Sequence, residues 1–359
     1  MQATLDLIRQ EPLFSSSLTG GALLSHWSNL GIELLVYVIA AMCLRHAWRA
    51  RPADGDPNHG VAGREWVSVM AGAVLLTFVI ELLLSHSFHA DASGQMVRLY
   101  EYPPGSFLIA IKGVPLWVPV GWCFILYATM RTTTFLGAAW YIAPLLDGFL
   151  ALNLDLSLDP VAIHQDWWDW MPGAAGTGVD ANSYFGIPLV NFMGWFVIVG
   201  SYSLFARRFF AARRRRGWLP GTAGNVLVVT AAIVASLIVV AVYQSALGPH
   251  LTPVAVMLAW MVAAAIVARH MMGFRVDAPV ERLFIAVPIV FHAYCIAVSL
   301  VTTAQSPPSD KVGSLLIVEP ELSIFMPVAA LLGLWLYSWP YLGTLADRSR
   351  ITNRPASGG

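Results

Sequence analysis

The sequence predicts an all-α membrane protein, a polytopic bundle of about nine transmembrane helices with its amino end outside and its carboxyl end in the cytoplasm. Three observations support this prediction. The 359 residues are 57% apolar and only 12% charged, whereas roughly 25% of the residues of an ordinary soluble domain are charged. Apolar runs long enough to cross a bilayer recur along the chain, and basic residues concentrate on one side of them. A water-soluble fold is therefore excluded.

The candidate spans are the long apolar runs of the sequence. A spanning helix needs about 20 mostly apolar residues, because backbone amides in hydrocarbon can bond only within their own segment. Such runs fall at residues 22–44, 66–85, 107–130, 134–154, 187–206, 223–247, 251–272, 283–304 and 322–345. Residues 1–21 lack the basic-then-apolar order of a cleavable signal peptide, so we expect the first helix to be retained.

The distribution of charge predicts how these spans are threaded. With the amino end outside, 17 of the 21 basic residues lie in inner loops or their flanks, and only Arg9, Arg98, Lys112 and Lys311 do not. This asymmetry satisfies the positive-inside rule and predicts a multi-pass protein of the cell membrane. The formal net charge is zero, and the run 213–216 flanks a span. We therefore interpret that arginine run as a membrane anchor and expect no nucleic-acid partner.

Loop lengths predict the domain organisation. Two predicted outer loops, 86–106 and 155–186, are long and together rich in His, Asp, Glu, Trp, Gly and Pro, and long loops of compact proteins tend to be functional. We therefore expect the working site in the first five helices. The predicted divisions are a non-cytoplasmic segment 1–21, a five-helix catalytic core 22–206, a basic cytoplasmic linker 207–222, a four-helix extension 223–346 and a cytoplasmic tail 347–359.

Acidic residues inside the apolar runs are the candidate chemical groups. Each costs roughly 2.5 to 3.5 kcal/mol at mid-helix, so each needs a partner or a function. They lie in or beside the first, second and fourth predicted spans, at Glu33, Glu81, Asp147, Asp155 and Asp159. Close carboxyl groups in a low dielectric cannot all ionise, so we expect at least one to keep its proton near neutral pH and to act as a donor.

Helix geometry groups three of these acids. On an ideal helix Asp155 lies about 80° and Asp159 about 120° around the axis from Asp147, so all three share one broad face. We expect Pro160 to end the helix, which would leave Asp159 at a frayed end reached by water and Asp155 deeper, as the better acid. The alternative is that the acids pair with Arg98, Lys112 or buried amides and only lock helices together.

Four motifs resemble those of the carotenoid hydratase family, which includes the bisanhydrobacterioruberin hydratases. Residues 155–160 read Asp-Leu-Ser-Leu-Asp-Pro, 168–170 read Trp-Asp-Trp, and 184–195 read Tyr-Phe-Gly-Ile-Pro-Leu-Val-Asn-Phe-Met-Gly-Trp. Residues 113–116, Gly-Val-Pro-Leu, are similar to the family's Gly-Val-Pro segment at the third helix. Glu81 and the Tyr-Glu-Tyr of 100–102 also match. The resemblance covers roughly residues 66–206.

This chain also departs from the family pattern. Residues 85–89 read Ser-His-Ser-Phe-His where the family has a Gly-rich stretch. Four predicted helices after Arg216 extend beyond the recognised core. These departures concern the identity of the substrate more than the class of reaction.

The resemblance implies an all-helical membrane enzyme that adds water to the terminal double bond of a linear carotenoid and forms a tertiary alcohol without a cofactor. The implied substrate is lycopene-like or longer, and other carotenoid-biosynthesis enzymes are candidate partners. The implied catalytic residues are Asp155, Asp159 and Glu81, and the grouping of buried acids adds Asp147 as a fourth candidate. The implied substrate-binding residues are Trp168, Trp170, Tyr184, Asn191, Trp195, Glu101 and Tyr102. The tryptophans suit a cationic intermediate, although interfacial Trp is also common in membrane proteins.

Two other functions are also compatible with the sequence. A transporter or proton-relay protein would use the same acid cluster. A metal-dependent membrane oxygenase would use His86 and His89, which form a single His-x-x-His beside the acids. Since di-iron membrane hydroxylases need several such clusters, we expect no metal here.

Overall fold

The computed structural model describes the first six predicted helices, the eighth and several short connecting segments. The described residues are 12–15, 27–50, 61, 63–90, 96–103, 107–165, 167–170, 183–184, 187–216, 221–246, 262, 281–305, 331, 334, 335 and 338. The predicted spans 251–272 and 322–345 lie outside the described residues, apart from the isolated positions within them.

The described chain is mostly helical, as the sequence predicts. Its helices are α1 (Trp27–Arg49), α2 (Glu65–Ser85), α3 (Trp117–Phe135), α4 (Ala143–His164), α5 (Leu189–Arg216), α6 (Gly221–Ala246) and α7 (Arg282–Gln305). Within this part of the chain, three segments are long and apolar enough to cross a membrane: Ser28–Arg49, Glu65–Ser85 and Ala223–Val242. The number of nine spans and the orientation of the termini stay predictions.

Short strands connect the helices. They are β1 (Phe14–Ser15), β2 (Phe88–Ala90), β3 (Met96–Arg98), β4 (Tyr100–Glu101), β5 (Ala110–Ile111), β6 (Val114–Pro115), β7 (Asp169–Trp170), β8 (Ser183–Tyr184) and β9 (Ile187–Pro188). All pairings are antiparallel, in the order β1-β5-β6 and in the separate pairs β2-β3, β4-β7 and β8-β9. The β4-β7 pair joins the two long predicted loops, 86–106 and 155–186.

Helix α3 is the centre of the bundle. Sixteen of its 19 residues are buried, and it packs against α1, α2 and α4. Helix α5 packs between α4 and α6, and α6 also packs against α2. This arrangement places α2, α3, α5 and α6 around one interior space.

Helix α3 begins at Trp117, later than predicted, because a hairpin precedes it. The predicted span 107–130 includes β5 and β6, whose turn has Lys112 at φ 51° and Gly113 at φ 76°. Positive φ is favourable for Gly and costly for most other residues, so this Lys-Gly turn stops a helix from forming there. Hydropathy alone does not distinguish this apolar hairpin from a helix.

Glu33 of α1 fixes the chain before that hairpin. Its carboxylate oxygens accept hydrogen bonds from the backbone amide of Leu108 at 2.7 Å and from that of Ile109 at 3.4 Å. The hydroxyl of Tyr37 also donates to it, at 2.9 Å. This buried acid therefore has a structural role, as the alternative interpretation of the sequence allowed.

Helix α4 is displaced from its predicted bounds of 134–154, and the prediction that Pro160 ends it is wrong. The helix runs from Ala143 to His164 with Pro160 inside it. Both Val161 and Ala162 are fully buried. An interior proline costs about 3 kcal/mol, and burial of the following turn offsets that loss. Asp159 is consequently not at a frayed end: it is only 2% exposed.

Asp147 forms a buried ion pair of its own and lies apart from the other acids of α4. Its carboxylate lies 3.0 Å from the guanidinium of Arg207 on α5. Ser203 and Thr133 donate hydroxyl hydrogen bonds to it, at 2.5 and 2.6 Å. Eight residues of helix place Asp155 about 12 Å further along the axis. Asp147 therefore links α3, α4 and α5 and does not join the acid cluster that the sequence predicts.

Arg207→Met is expected to destabilise the protein by roughly 3–5 kcal/mol, because it leaves the Asp147 charge buried without its partner. The matched control is Arg208→Met. Arg208 is exposed and lies over the Trp140 ring at 4.3 Å, so its loss should cost less than about 1 kcal/mol. Denaturant unfolding in detergent measures both variants. Equal destabilisation by the two would contradict the assigned role of the pair.

Candidate active site

An apolar cavity of about 250 Å³ lies among α2, α3, α5 and α6, below the β4-β7 pair. Most of its wall is aliphatic or aromatic. Apart from aromatic residues, its polar side chains converge from four helices: Glu81 on α2, Asp159 on α4, Asn191 on α5 and Ser236 on α6. Tyr100 and Tyr102 close the cavity from the β4 segment. A largely apolar cavity with a few convergent polar groups is the usual form of a site for a hydrophobic ligand.

Glu81 is held as a hydrogen-bond acceptor. The hydroxyl groups of Tyr100 and Tyr102 both donate to its Oε2, the second at 2.8 Å. The Trp122 side chain also hydrogen-bonds this carboxylate. Burial and then the charge of Glu81 raise the pKa of both tyrosines well above its usual value, so they remain donors. These hydrogen bonds favour the ionised form of Glu81, whereas its burial, the larger effect, opposes ionisation.

The alternation of strand β4 explains why two tyrosines reach Glu81. Successive side chains of a strand point to opposite faces, so Tyr100 and Tyr102 share one face and Glu101 lies on the other. β7 pairs with β4 through Tyr100↔Trp170 and Glu101↔Asp169. The Tyr100 ring lies 5.0 Å from that of Trp170, and the Tyr102 ring 6.3 Å from that of Trp168. Glu101 does not line the cavity.

Asp155 and Asp159 form a carboxyl pair one helical turn apart on α4. Both are buried, and their side chains lie within hydrogen-bonding distance of each other. The amide of Asn191 donates to both, at 3.3 Å to Asp155 and more closely to Asp159. A hydrogen bond between two carboxyl groups requires a proton on one of them. This pair therefore resembles a shared-proton dyad.

Electrostatics around the cavity also favour a retained proton. Glu81 lies within electrostatic range of both Asp155 and Asp159. Among the described residues that line the cavity there is no Lys, Arg or His. Three carboxyl groups without a cationic neighbour cannot all ionise in an apolar environment. The site can therefore both donate a proton and accept one.

Indole rings form much of the remaining wall. Trp122 on α3 stacks on Trp195 on α5 with ring centroids 3.8 Å apart, and Trp117 stacks on Trp168 at 6.0 Å. These rings, together with Trp170, line the cavity. The negative faces of indole rings attract cations, by about 0.5–2 kcal/mol for each well-placed ring. The wall suits a positively charged intermediate made from an apolar substrate.

Comparison with known proteins identifies the family. A model of the family described as carotenoid biosynthesis protein matches residues 32–264, well over half of the chain. The chain belongs to this family. No curated protein and no solved structure matches this carotenoid biosynthesis protein. The match extends on both sides of the residues 66–206 that carry the motif resemblance, and it includes α6.

The cavity of this carotenoid biosynthesis protein brings together most of the residues singled out in the sequence. They are Glu81, Asp155, Asp159, Asn191, Tyr102, Trp168, Trp170 and Trp195, although Asp155 lies behind the wall. Asp147 and Glu101 lie elsewhere. Tyr184 is described only through its backbone in β8. The wall residues that sequence reasoning missed include Tyr100, Trp117, Leu237 of α6 and Phe291 of α7.

His86, which directly follows α2, does not line the cavity. His86 is buried, and its Nδ1 contacts the Leu82 carbonyl oxygen at 2.9 Å. The side chain of His89 lies outside the described part of the structure. Over the residues that the structure describes, no group of three or more His, Cys, Asp or Glu could hold a metal ion. The expected absence of a metal stays a prediction.

Proposed function

We propose that this carotenoid biosynthesis protein is a cofactor-independent hydratase that adds water to the terminal double bond of a linear carotenoid. The observation that carries the proposal is the buried Asp155–Asp159 pair, without a neighbouring cation among the described wall residues, beside an apolar, Trp-lined cavity. Hydration of an isolated alkene needs an acid that still holds its proton in a dry site, and this pair meets that requirement.

Asp159 is the proposed acid. It lines the cavity, whereas Asp155 does not, so of these two aspartates only Asp159 can touch the substrate. We therefore revise the expectation from the sequence that the deeper Asp155 donates. Asp155 acts as a positioning residue that shares the proton, and no donor from the described residues reaches its buried Oδ1. Asn191 holds the two carboxyl groups in register.

The proposed reaction has two steps. Asp159 gives its proton to the less substituted carbon of the terminal double bond, which leaves a tertiary carbocation and a carboxylate. Glu81 then accepts a proton from a water molecule as the water oxygen bonds to the cation. The proton returns from Glu81 to the aspartate pair, so the net change is alkene plus water to tertiary alcohol. Tyr100 and Tyr102 orient Glu81 for the second step.

The Trp faces stabilise the intermediate between these steps. A tertiary cation in the cavity is close to Trp122 and Trp195, whose stacked rings form one wall. Trp168 lies on the side of Tyr102. Stabilisation of a charge that develops only during the reaction accelerates the chemical step and does not merely tighten binding.

The expected result is a product heavier by one water when the protein is expressed with a lycopene supply, with its new oxygen derived from solvent. Mass spectrometry in water labelled with heavy oxygen measures both properties. A parallel incubation with labelled dioxygen is the control and should leave the product unlabelled. Oxygen taken from dioxygen would instead favour the oxygenase, and transport or proton coupling without any product would favour the proton-relay alternative.

A further inference from the structure

The cavity opens sideways between α2 and α6. Three of its wall residues are also among the most exposed apolar side chains of these helices: Leu83 is 44% exposed, Leu84 36% and Leu237 62%. We call these three residues the lateral mouth. Both helices that carry it are long and apolar enough to cross a membrane. An apolar opening between two such helices leads to lipid and not to water.

The volume of the cavity limits what can enter through this mouth. At about 250 Å³ it lies below the roughly 300–1,000 Å³ of sites that enclose a drug-sized ligand. A linear carotenoid is an extended chain larger than such a ligand. Only one end of it can therefore occupy the space beside Asp159 and Glu81.

We propose that the lateral mouth admits the end of a linear polyene directly from the bilayer, while the rest of the chain stays in the lipid. This inference rests on the proposed function. The site then recognises the terminal segment alone, so turnover should depend little on chain length or on the chemistry of the distant end. A substrate with two reactive ends must leave and return, so the singly hydrated product should accumulate first.

Reversible access is tested with a single cysteine at the mouth. Leu237→Cys places a reactive thiol there, and Leu227→Cys places one at an equally lipid-facing position of α6 that does not line the cavity and is 49% exposed. The native Cys43, Cys123 and Cys295 are buried. A bulky apolar maleimide on Leu237→Cys should slow hydration of lycopene at least about tenfold. The same label on Leu227→Cys should change it less than about twofold.

A binding measurement separates this inference from the proposed function. A bound polyene quenches the fluorescence of the cavity tryptophans, with or without turnover. If the wild type makes no alcohol but the label weakens quenching only in Leu237→Cys, the entry of polyenes through the lateral mouth is supported and the proposed hydratase activity is contradicted. Unchanged quenching and turnover in labelled Leu237→Cys would overturn the inference. So would a wild type that hydrates only one length in a series of linear carotenoids.

Discussion

Asp159→Asn is expected to lower hydration by roughly 10²–10⁴-fold, the usual contribution of a general acid. The amide keeps the shape of the side chain and its place beside Asn191, but it cannot supply the proton. Product formation per unit of inserted protein measures the effect. Incorporation of deuterium from heavy water into the less substituted carbon of the terminal double bond of unreacted substrate should be lost as well, because no cation forms.

The matched control is Ser157→Ala, which lies between the two aspartates on the same helical turn. Ser157 is 3% exposed, and no described residue bonds its hydroxyl. Removal of an unbonded hydroxyl should be nearly neutral. Asp155→Asn should be intermediate, since it disturbs the shared proton but leaves the group that touches the substrate. A wild-type rate in correctly inserted Asp159→Asn would move the acid to another residue.

Glu81→Gln should also reduce alcohol formation, by roughly 10²–10³-fold, but through the second step. The neutral amide of the substituted side chain would not accept the proton that water must lose, whereas Asp159 can still protonate the alkene. This variant should therefore continue to exchange deuterium into the less substituted carbon of the terminal double bond while it makes little alcohol. The two readouts together distinguish the base from the acid.

Glu65→Gln is the control for Glu81, because Glu65 lies in the first turn of the same helix and does not line the cavity. We expect its activity to stay within about twofold of wild type. If Glu81→Gln loses deuterium exchange and alcohol together, then Glu81 takes part in protonation and the roles of the two acids must be exchanged.

The sequence predicts some helices closely and others poorly, for a physical reason. Helix α2 is one uninterrupted apolar run between charged residues, and its predicted bounds of 66–85 differ from Glu65–Ser85 by one residue. Helix α4 carries three acids and an interior proline, which lower its hydropathy and imitate a helix end. Burial of Val161 and Ala162 decides its true end, and burial is a property of the tertiary structure.

The site was partly predictable for a different reason. The motif resemblance predicts Asp155, Asp159 and Asn191. Asn191 lies 36 and 32 residues from the two aspartates in the chain, and it meets them only through the packing of α4 on α5. The sequence does not reveal the ion pair of Asp147 with Arg207. An arginine near a predicted membrane boundary is usually interpreted as a determinant of membrane orientation and not as a partner for a buried acid.

Two other omissions have simpler causes. The sequence interpretation names Glu101 and not Tyr100 as a substrate-binding residue. If the Tyr-Glu-Tyr segment is treated as a strand, the alternation of its side chains places Tyr100 and Tyr102 on one face and Glu101 on the other. The contribution of α6 had no marker at all, since leucines that line a cavity and leucines that face lipid look alike in sequence.

The two unlike carboxyl sites of α4, about 18 Å apart along its axis, separate two kinds of selection. Substitutions in the helical turn of Asp147 are selected by their effect on folding and assembly. Substitutions in the turn of Asp159 are selected by their effect on the reaction. A random library over residues 143–164 should accordingly yield two classes of inactive variants, one poor in membrane protein and one rich in it. In a homologous protein that has lost the reaction, the turn of Asp159 could vary while the turn of Asp147 stayed conserved. Sequence variation along this one helix would then distinguish loss of the activity from loss of the fold.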